Sequence, residues 1–322
     1  MSGTPAIDVL VTVYNGERFL AQTIESVISQ SFSNWRLIIV DDLSTDRTPQ
    51  IIKHYAEIDT RIISLKGEHK GVAAAANIGL KAVTAPLVAR LDADDVCLPS
   101  RLQVQYDFLN ANSDITAVGS NVYLIDENNK RLRRRTAARG WRNIENILKT
   151  RNCMCHPSSM IRTAALKQIK GYREKFKNSL DYDLWLRLSE IGRIENVSQD
   201  LLLYRRHSEQ ISSNNNAHRQ TIYSVAAVTD YFLRKYQRNN NDQTQIDERN
   251  PKDIAEKLSS LYKCLVSPDD IASLNRHAIR LLRYARALDP NTRKTLQKSI
   301  NPHLKVRQRL KHWFYQYIST NY

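Results

Sequence analysis

The stretch that indicates the fold runs Ile7-Asp8-Val9-Leu10-Val11-Thr12-Val13, an apolar, largely β-branched segment followed by an Asn15-Gly16 turn. Apolar residues then recur at helical spacing from Leu20 to Ile28. The same alternation of strand and helix patterns continues at Arg36–Val40, Thr48–Tyr55, Arg61–Leu65, Gly71–Val83 and Pro86–Leu91. Strands that alternate with helices predict an α/β fold with a mostly parallel sheet covered on both faces.

The rest of the chain predicts two further parts. A helix at Arg101–Asn110, a strand at Ile115–Ile125 and a basic, exposed segment at Lys130–Arg142 open a second α/β portion that extends to about Ser212. Beyond that point glycine is absent and apolar residues keep helical spacing. We therefore expect a first part over residues 1–110, a second over 111–212, and a basic helical region over 213–322.

The composition is that of an ordinary globular protein, with 42% hydrophobic and 25% charged residues in a chain of 322. No apolar run reaches the roughly 18 residues of a membrane-spanning helix. The N-terminus also lacks the basic-then-apolar layout of a signal peptide. A cytoplasmic protein is the expectation.

Four cysteines, Cys97, Cys153, Cys155 and Cys264, are too few for a disulfide framework in a chain of this length. Cys153-Met154-Cys155-His156 could suggest zinc, but the chain has no second cluster of cysteine and histidine to complete a tetrahedral site. Buried free thiols are the favoured interpretation.

The net charge of +15 and the pI of about 9.7 predict an acidic partner, which could be nucleic acid, an anionic membrane surface or a phosphorylated small molecule. From Ile271 onward eleven basic residues face one acid, Asp289. The last predicted helix, Lys305–Ile318, carries aromatic and aliphatic residues on one face, as expected of a peripheral membrane anchor. The alternative is that this face packs on the catalytic part or on a second copy in a homo-oligomer.

Two acidic motifs follow predicted strands. Asp92-Ala93-Asp94-Asp95 places three carboxylates directly after a buried strand, where their mutual repulsion favours a divalent metal such as Mn²⁺ or Mg²⁺. A solvated loop or a helix cap is the alternative. Asp41-Asp42 could accept a hydrogen bond from a base or ribose, or could be ordinary turn chemistry.

The motifs occur in an order that resembles glycosyltransferase family 2. The similar segments are Val11–Glu17, Ser29–Phe32, Ile39–Thr48, Gly71–Gly79, Asp92-Ala93-Asp94, Pro99–Leu102, His156–Ser158, Gly171–Glu174, Asp181–Leu188 and Tyr204–His207. Together they cover roughly residues 6–212.

The resemblance implies a GT-A fold, an inverting reaction and a nucleotide-sugar donor, with uridine diphosphate as the expected carrier. It also implies a glycan or lipid-linked acceptor and a Mn²⁺ or Mg²⁺ cofactor. Asp181 would be the general base, Asp94 and His207 would contact the metal, and His156 and Trp185 would face the acceptor. Matching positions assign nucleotide binding to Thr12, Tyr14, Asn15, Glu17, Asp42, Asn77 and Asp92.

Three positions depart from the family pattern. Thr12 stands where proline is common, Ala76 replaces an arginine, and Leu180 replaces the glutamate before Asp181. An apolar neighbour should raise the pKa of Asp181 and suit a base, although Asp181 could instead cap a helix.

Two other functions compete with this interpretation. A sugar nucleotidyltransferase would share the fold and the acidic site but needs a glycine-rich, basic loop near the N-terminus, which Val13–Glu17 does not supply. A nucleic-acid-binding protein is suggested only by net charge, and the acidic cluster would repel a phosphate backbone. We therefore expect no nucleic-acid partner.

Overall fold

The computed structural model describes residues 4–208, 210, 217–236, 247, 250–262, 267–284, 291, 294–300 and 302. The chain divides into two compact units. The first comprises residues 1–148 and 152–213, and the second comprises residues 149–151 and 214–322.

The first unit is built on one sheet. Its strands are β1 (Ile7–Val13), β2 (Trp35–Asp41), β3 (Ile62–Lys66), β4 (Leu87–Asp92), β5 (Val96–Cys97), β6 (Ile115–Ile125), β7 (Arg131–Arg135), β8 (Met160–Arg162) and β9 (Arg193–Arg205). Their order is β3-β2-β1-β4-β8-β6-β9-β5, with β7 paired to β6. Strands β1 to β4 pair in parallel, as do β6 and β9, whereas β5, β7 and β8 pair antiparallel to their neighbours.

Helices connect these strands. They are α1 (Leu20–Ile28), α2 (Thr48–Ile58), α3 (Val72–Ala82), α4 (Arg101–Ala111), α5 (Trp141–Leu148), α6 (Thr163–Gln168) and α7 (Leu180–Ser189), with a 3₁₀ turn at His156–Ser158. Each of the first four parallel strands is followed by a helix, apart from the short β5 that intervenes after β4. The prediction of an α/β fold with a mostly parallel sheet is confirmed.

The core explains the apolar runs of the sequence. Every residue of β1 is buried, because helices cover both faces of a parallel sheet. Asp8 interrupts the run, and its carboxylate is compensated by a bidentate pair with Arg36 (2.7 and 2.9 Å) and by the backbone N–H groups of Thr84 (2.8 Å) and Ala85 (2.9 Å). A buried charge with this many donors stabilises the sheet without needing solvent.

The basic segment expected at Lys130–Arg142 contains β7, whose five residues are all exposed. Asp126 forms the turn that leads into it, accepting hydrogen bonds at 2.9 Å from the backbone N–H groups of Asn128 and Lys130. The segment is therefore exposed, as expected, but it also adds a strand to the sheet, which the run of arginines did not indicate.

The second unit contains the helices α8 (Ala217–Tyr236), α9 (Pro251–Leu261) and α10 (Pro268–Tyr284). The Asn250 side chain caps α9 by accepting from the backbone of Lys252 at 3.0 Å. The predicted helix Lys305–Ile318 lies outside the described residues. Within the part that the structure describes, no helix is long and apolar enough to cross a membrane.

Candidate active site

The parallel strands bring distant polar residues to one edge of the sheet. Thr12 at the end of β1 pairs with Asp92 of β4 on one side and with Val40 of β2 on the other, and Val13 pairs with Asp41. The loops that follow these strands therefore share the carboxyl edge, where ligands bind in open α/β sheets.

Asp92, Asp94 and Asp95 form a compact acidic cluster at this edge. One oxygen from each carboxylate lies within 4.8 Å of those of the other two. Burial, together with the charge of Asp94, raises the pKa of Asp92 to about 6, against the lowering effect of Arg90. Burial raises the pKa of Asp95 well above its usual value, and its Oδ2 is buried without a hydrogen-bond partner in the described part of the chain.

His207 lies against this cluster. Its Nε2 is 2.9 Å from Asp94 Oδ2, and its ring packs on that of Phe19 with 5.2 Å between centroids. The other ring nitrogen, Nδ1, is buried and has no partner among the described residues. Gln210 also donates to Asp94 Oδ2, at 3.3 Å. The two predicted metal contacts, Asp94 and His207, are therefore adjacent.

The backbone of the acidic loop is held from two sides. The Thr23 hydroxyl on α1 lies 2.8 Å from the carbonyl oxygens of both Ala93 and Asp95. Arg205 at the end of β9 donates from Nε to Asp94 O (2.7 Å) and from its backbone to Asp95 Oδ1 (2.8 Å). The sequence did not predict these roles, although Arg205 lies in the segment Tyr204–His207 that resembles the family, because each residue lies far along the chain from the loop that it positions.

Arg90 is a fully buried cation under the cluster. Its guanidinium donates to the carbonyl oxygens of Leu10 (2.7 Å) and Leu91 (2.6 Å) and to the Thr12 hydroxyl (2.6 Å), and it lies 3.1 Å from Asp92 Oδ1. The predicted nucleotide contact Thr12 therefore accepts a hydrogen bond from Arg90. The signal for this residue was available, since an arginine interrupts the otherwise apolar strand β4.

Three predicted nucleotide contacts lie in the loop after β1. Tyr14 is half exposed, at 49%. The Asn15 backbone donates to Ser44 Oγ at 2.8 Å, and Glu17 Oε2 accepts from the backbone of Arg47 at 2.9 Å. Asn15 and Glu17 thus join the loop after β1 to the loop after β2, and their contact with a nucleotide stays a prediction.

Asp42 organises the loop between β3 and α3. Its buried carboxylate accepts from the backbone N–H groups of Glu68 (3.2 Å), His69 (2.7 Å) and Gly71 (2.9 Å). A Cβ at Gly67 would come within 2.5 Å of Asp42 Oδ1, so only glycine lets the chain pass the carboxylate. The carboxylate expected to contact a base is largely occupied by the protein backbone.

Asn77 on α3 bonds to the backbone of Tyr172 in both directions. Its Nδ2 donates to Tyr172 O at 2.8 Å and its Oδ1 accepts from Tyr172 N at 2.9 Å. Gly171 precedes this pairing with a φ of 67° and with no room for a side chain against Asn77. In this structure Asn77 positions Tyr172, and its assignment to the nucleotide stays a prediction.

Asp181 lies in the first turn of α7 and is not the helix cap, which is Ser179. Its Oδ2 accepts from Asn152 Nδ2 at 2.6 Å and its Oδ1 accepts from the backbone of Tyr182 at 2.8 Å. Burial raises the pKa of Asp181 despite these two hydrogen bonds. The charge of Asp181 also contributes to the raised pKa of Asp92, as expected of carboxylates that share one site.

The two predicted acceptor contacts differ in access. His156 is half-buried, its Nε2 lies 2.8 Å from the Tyr172 hydroxyl, and burial lowers its pKa well below the usual value. Trp185 is fully buried, and its ring lies behind that of His156 with 6.0 Å between centroids. Of these two residues, His156 is accessible to solvent and Trp185 is not, because Trp185 lies on the face of α7 that packs into the core.

Comparison with known proteins identifies the family of the chain. The family model for glycosyl transferase family 2 matches residues 8–170. The O-antigen biosynthesis glycosyltransferase WbnJ of Escherichia coli is 32% identical over 234 residues, which cover 71% of this chain and 88% of WbnJ. The chain belongs to glycosyltransferase family 2 and is a glycosyltransferase.

Solved structures share the fold at low sequence identity. S. aureus TarS 1–349 in complex with UDP-GlcNAc has a TM-score of 0.61 at 19% identity, covering 95% of this chain and 91% of TarS 1–349. The mannosyltransferase PcManGT of Pyrobaculum calidifontis, in complex with GDP-Man and Mn²⁺, has a TM-score of 0.53 at 16% identity and covers 97% and 84% of the two chains. These likenesses extend the GT-A fold to this chain.

Proposed function

We propose that this protein transfers a sugar from a nucleotide-sugar donor to a hydroxyl group of a glycan or lipid-linked acceptor in cell-surface polysaccharide synthesis, with inversion at the anomeric carbon. Family membership and the similarity to the O-antigen enzyme WbnJ support the reaction class and the setting. The UDP-GlcNAc bound to TarS supports a uridine diphosphate carrier.

The feature that carries the proposal is the acidic cluster together with the buried carboxylate of Asp181, whose charge acts on that cluster. The charge of Asp181 acts on Asp92, and both charges act on Tyr172, whose pKa burial raises to about 12. A single displacement needs one general base for the acceptor hydroxyl and a divalent metal for the leaving diphosphate. No general acid is needed, because a bound metal would stabilise the diphosphate without protonation.

The residues of the cluster fit a hard divalent cation. One oxygen from each of the three carboxylates lies within 4.8 Å of the others, and Asp95 Oδ2 is buried with no donor among the described residues. Carboxylate oxygens suit Mn²⁺ or Mg²⁺. Asp94 and His207 would hold the ion, which would neutralise the charge that develops on the departing diphosphate.

Asp181 would act on the acceptor. Asn152 and the Tyr182 backbone hold both of its oxygens in place, so the carboxylate keeps one orientation. It takes the proton of the acceptor hydroxyl as the bond from that oxygen to the anomeric carbon forms and the bond from that carbon to the diphosphate breaks. Attack from the face opposite the leaving group inverts the configuration.

Thermal unfolding against a panel of nucleoside diphosphates, each with Mn²⁺, Mg²⁺ or EDTA, tests the donor site. A ligand at 100 times its Kd stabilises by about 2.7 kcal/mol, which corresponds to a rise in Tm of roughly 5–10 °C for a domain of this size. The rise should require the metal, and it should be lost in Asp94→Ala.

The control is Asp107→Ala, which removes an exposed carboxylate on α4 whose partner is Gln103. It should leave the ligand-induced rise unchanged. A nucleotide-induced rise in Asp94→Ala equal to that of the wild type would refute the metal assignment. An absence of any nucleotide-induced rise in the wild type would refute the donor assignment.

Association with an anionic membrane surface through residues 302–322 is a separate proposal. The sequence supports it with the basic, aromatic helix pattern described above. Sedimentation with anionic liposomes should fall when these residues are deleted, and equal pelleting of the full and shortened chains would contradict it.

A further inference from the structure

The edge strand β7 has an unusual composition. It pairs with β6 alone among the described strands, and its five residues are all exposed: Arg131, Leu132, Arg133, Arg134 and Arg135. Charged residues on an edge strand discourage pairing with another chain, and lysine serves that purpose well. Arginine differs from lysine in its planar guanidinium group, which matches the geometry of phosphate and carboxylate groups. The choice of arginine therefore points to the binding of an oxyanion.

The four arginines of β7 differ in their partners. Arg134 donates from Nε to Asp200 Oδ1 at 2.7 Å, and Arg131 lies over the single tyrosine ring of β6, 4.8 Å from its centroid. The guanidinium groups of Arg133 and Arg135 form no hydrogen bond or ion pair with any residue that the structure describes. Side chains two positions apart on a strand share a face, so these two unpaired cations lie together, opposite Arg134.

The strand register places β7 next to the turn that carries His156. Strand β9 occupies one edge of β6, and β7 and β8 share the other, where Val122 pairs with Arg135 and Val118 pairs with Met160. Those two positions on β6 are about 13 Å apart, at roughly 3.3 Å per residue. Because β8 runs antiparallel to β6, the chain enters β8 from the direction of β7. The 3₁₀ turn His156–Ser158, which precedes β8, therefore approaches β6 from the side of Arg135.

The charge of Arg135 reaches the acceptor side of the candidate site. Burial raises the pKa of Asp181, and the charge of Arg135 is one of the effects that oppose this rise. Burial also raises the pKa of Cys155, next to His156, to about 12, and Arg135 is the largest opposing influence there. Arg135 is therefore within electrostatic range of both the predicted base and the turn at His156.

We propose that Arg133 and Arg135 bind an anionic group of the acceptor, a phosphate or a carboxylate, while a hydroxyl of the same molecule faces Asp181. The inference rests on the proposed glycosyl transfer and names its acceptor class, a phosphorylated or acidic saccharide. Each guanidinium can donate two parallel hydrogen bonds to such a group. The net charge of +15 also fits an acidic partner.

Calorimetric titration of the full chain, first saturated with UDP and Mn²⁺ to occupy the donor site, tests the proposal. The probes are glucose 1-phosphate, methyl glucuronide and methyl glucoside, which share a ring and carry a phosphate, a carboxylate and no charge. The tighter of the two anions should bind at least about tenfold more strongly than methyl glucoside, and it identifies which oxyanion the site takes. In Arg133→Gln and in Arg135→Gln this preference should fall to about threefold or less.

The matched control is Arg134→Gln. It removes one positive charge from the same exposed strand, but from the opposite face and from an ion pair with Asp200. It should leave the preference for the anion unchanged, and none of the three variants should lower Tm, because all three positions are exposed.

Two results would overturn the inference by itself. One is the absence of any preference for an anion in the wild type. The other is an equal loss of preference in Arg134→Gln and Arg135→Gln, which would show attraction by net charge alone. If UDP with Mn²⁺ does not bind the wild type, the donor assignment fails separately, and the same three probes on the free chain still test β7.

Lipid headgroups are another source of phosphate, and sedimentation with phosphatidylglycerol-containing liposomes distinguishes them from a saccharide. The wild type, Arg134→Gln and Arg135→Gln should pellet equally. Pelleting that falls only in Arg135→Gln, with an unchanged preference for the saccharide anion, would assign β7 to a membrane surface and overturn the acceptor site.

Discussion

Asp181→Asn separates chemistry from stability. General-base assistance contributes about 10²–10⁴ in rate, which is roughly 2.7–5.4 kcal/mol at about 1.36 kcal/mol per tenfold. We expect kcat for release of the nucleoside diphosphate to fall by that factor, with nucleotide affinity nearly unchanged. The asparagine oxygen can still accept from the Tyr182 backbone.

The expected effect of Asp181→Asn on stability is small, because two contributions oppose each other. Burial raises the pKa of Asp181 in the folded state, so its ionised form at neutral pH opposes folding. Asparagine removes that cost but places an amide against Asn152, at a cost of about 1 kcal/mol. The free energy of unfolding should therefore change by no more than about 1 kcal/mol in either direction.

Asp183→Asn, two residues along the same helix, is the contrasting variant. Asp183 is buried and ion-paired with both Arg173 and Arg187. Removing one partner of a buried pair costs about 3–5 kcal/mol, so Asp183→Asn should lower the free energy of unfolding much more than Asp181→Asn does. Urea unfolding and nucleotide release on both variants give the test. Nucleotide release by Asp181→Asn within tenfold of wild type would refute the base assignment.

The pH profile provides an independent check on Asp181. The base acts when deprotonated, so activity should fall as pH drops through the pKa of Asp181, which burial raises from its usual value. The hydrogen bond from Asn152 lowers that pKa. Asn152→Ala should therefore move the acidic limb of kcat to higher pH, and a shift to lower pH would contradict the argument.

Three further predictions concern stability and loop order. Arg90→Met leaves buried acceptors without a donor and should cost about 3–5 kcal/mol in urea unfolding, against less than about 1 kcal/mol for Arg134→Met at an exposed ion pair. Burial lowers the pKa of His277 to about 3, so the unfolded chain binds an extra proton below about pH 6.5. The free energy of unfolding should then decrease as pH drops from about 6.5 towards about 3, by up to about 1.4 kcal/mol per pH unit. His277→Gln should remove that contribution to the pH dependence. Asp42→Asn should lower Tm because it weakens three backbone hydrogen bonds, whereas Asp41→Asn should leave Tm nearly unchanged; equal losses would refute the different roles.

The sequence predicted the elements of the first half closely because their causes are local. The apolar run of β1 was predicted over Ile7–Val13 and is observed over the same residues, and the helix predicted at Gly71–Val83 is observed at Val72–Ala82. Helical periodicity, a run of β-branched residues and an acid at a strand end are each signals that lie within a few neighbouring residues. The strand β7 was not predicted, because four of its five residues are arginines and because it pairs with β6, which the local sequence does not indicate.

Roles within the site were harder to predict, because they depend on partners far along the chain. Arg205 meets the acidic loop from 110 residues away, and Asn77 meets Tyr172 across 95 residues. No local pattern marks either pairing. Arg90 is the exception, since a charged residue inside an apolar strand demands buried partners on its sequence alone.

The acidic motifs show where sequence resemblance stops. In the Asp181–Asp183 pair, Asp183 is taken up by two arginines and Asp181 is held by two neutral donors. In the Asp41–Asp42 pair, Asp42 is occupied by three backbone N–H groups and Asp41 accepts only from Ser44 within the described part of the chain. Each pair thus contains one carboxylate that accepts from several charged or backbone donors and one that has fewer such contacts among the described residues. Neighbouring positions on a strand or helix point in different directions, so the motif predicts that an acid is present, and only the tertiary partners show how each carboxylate is bonded.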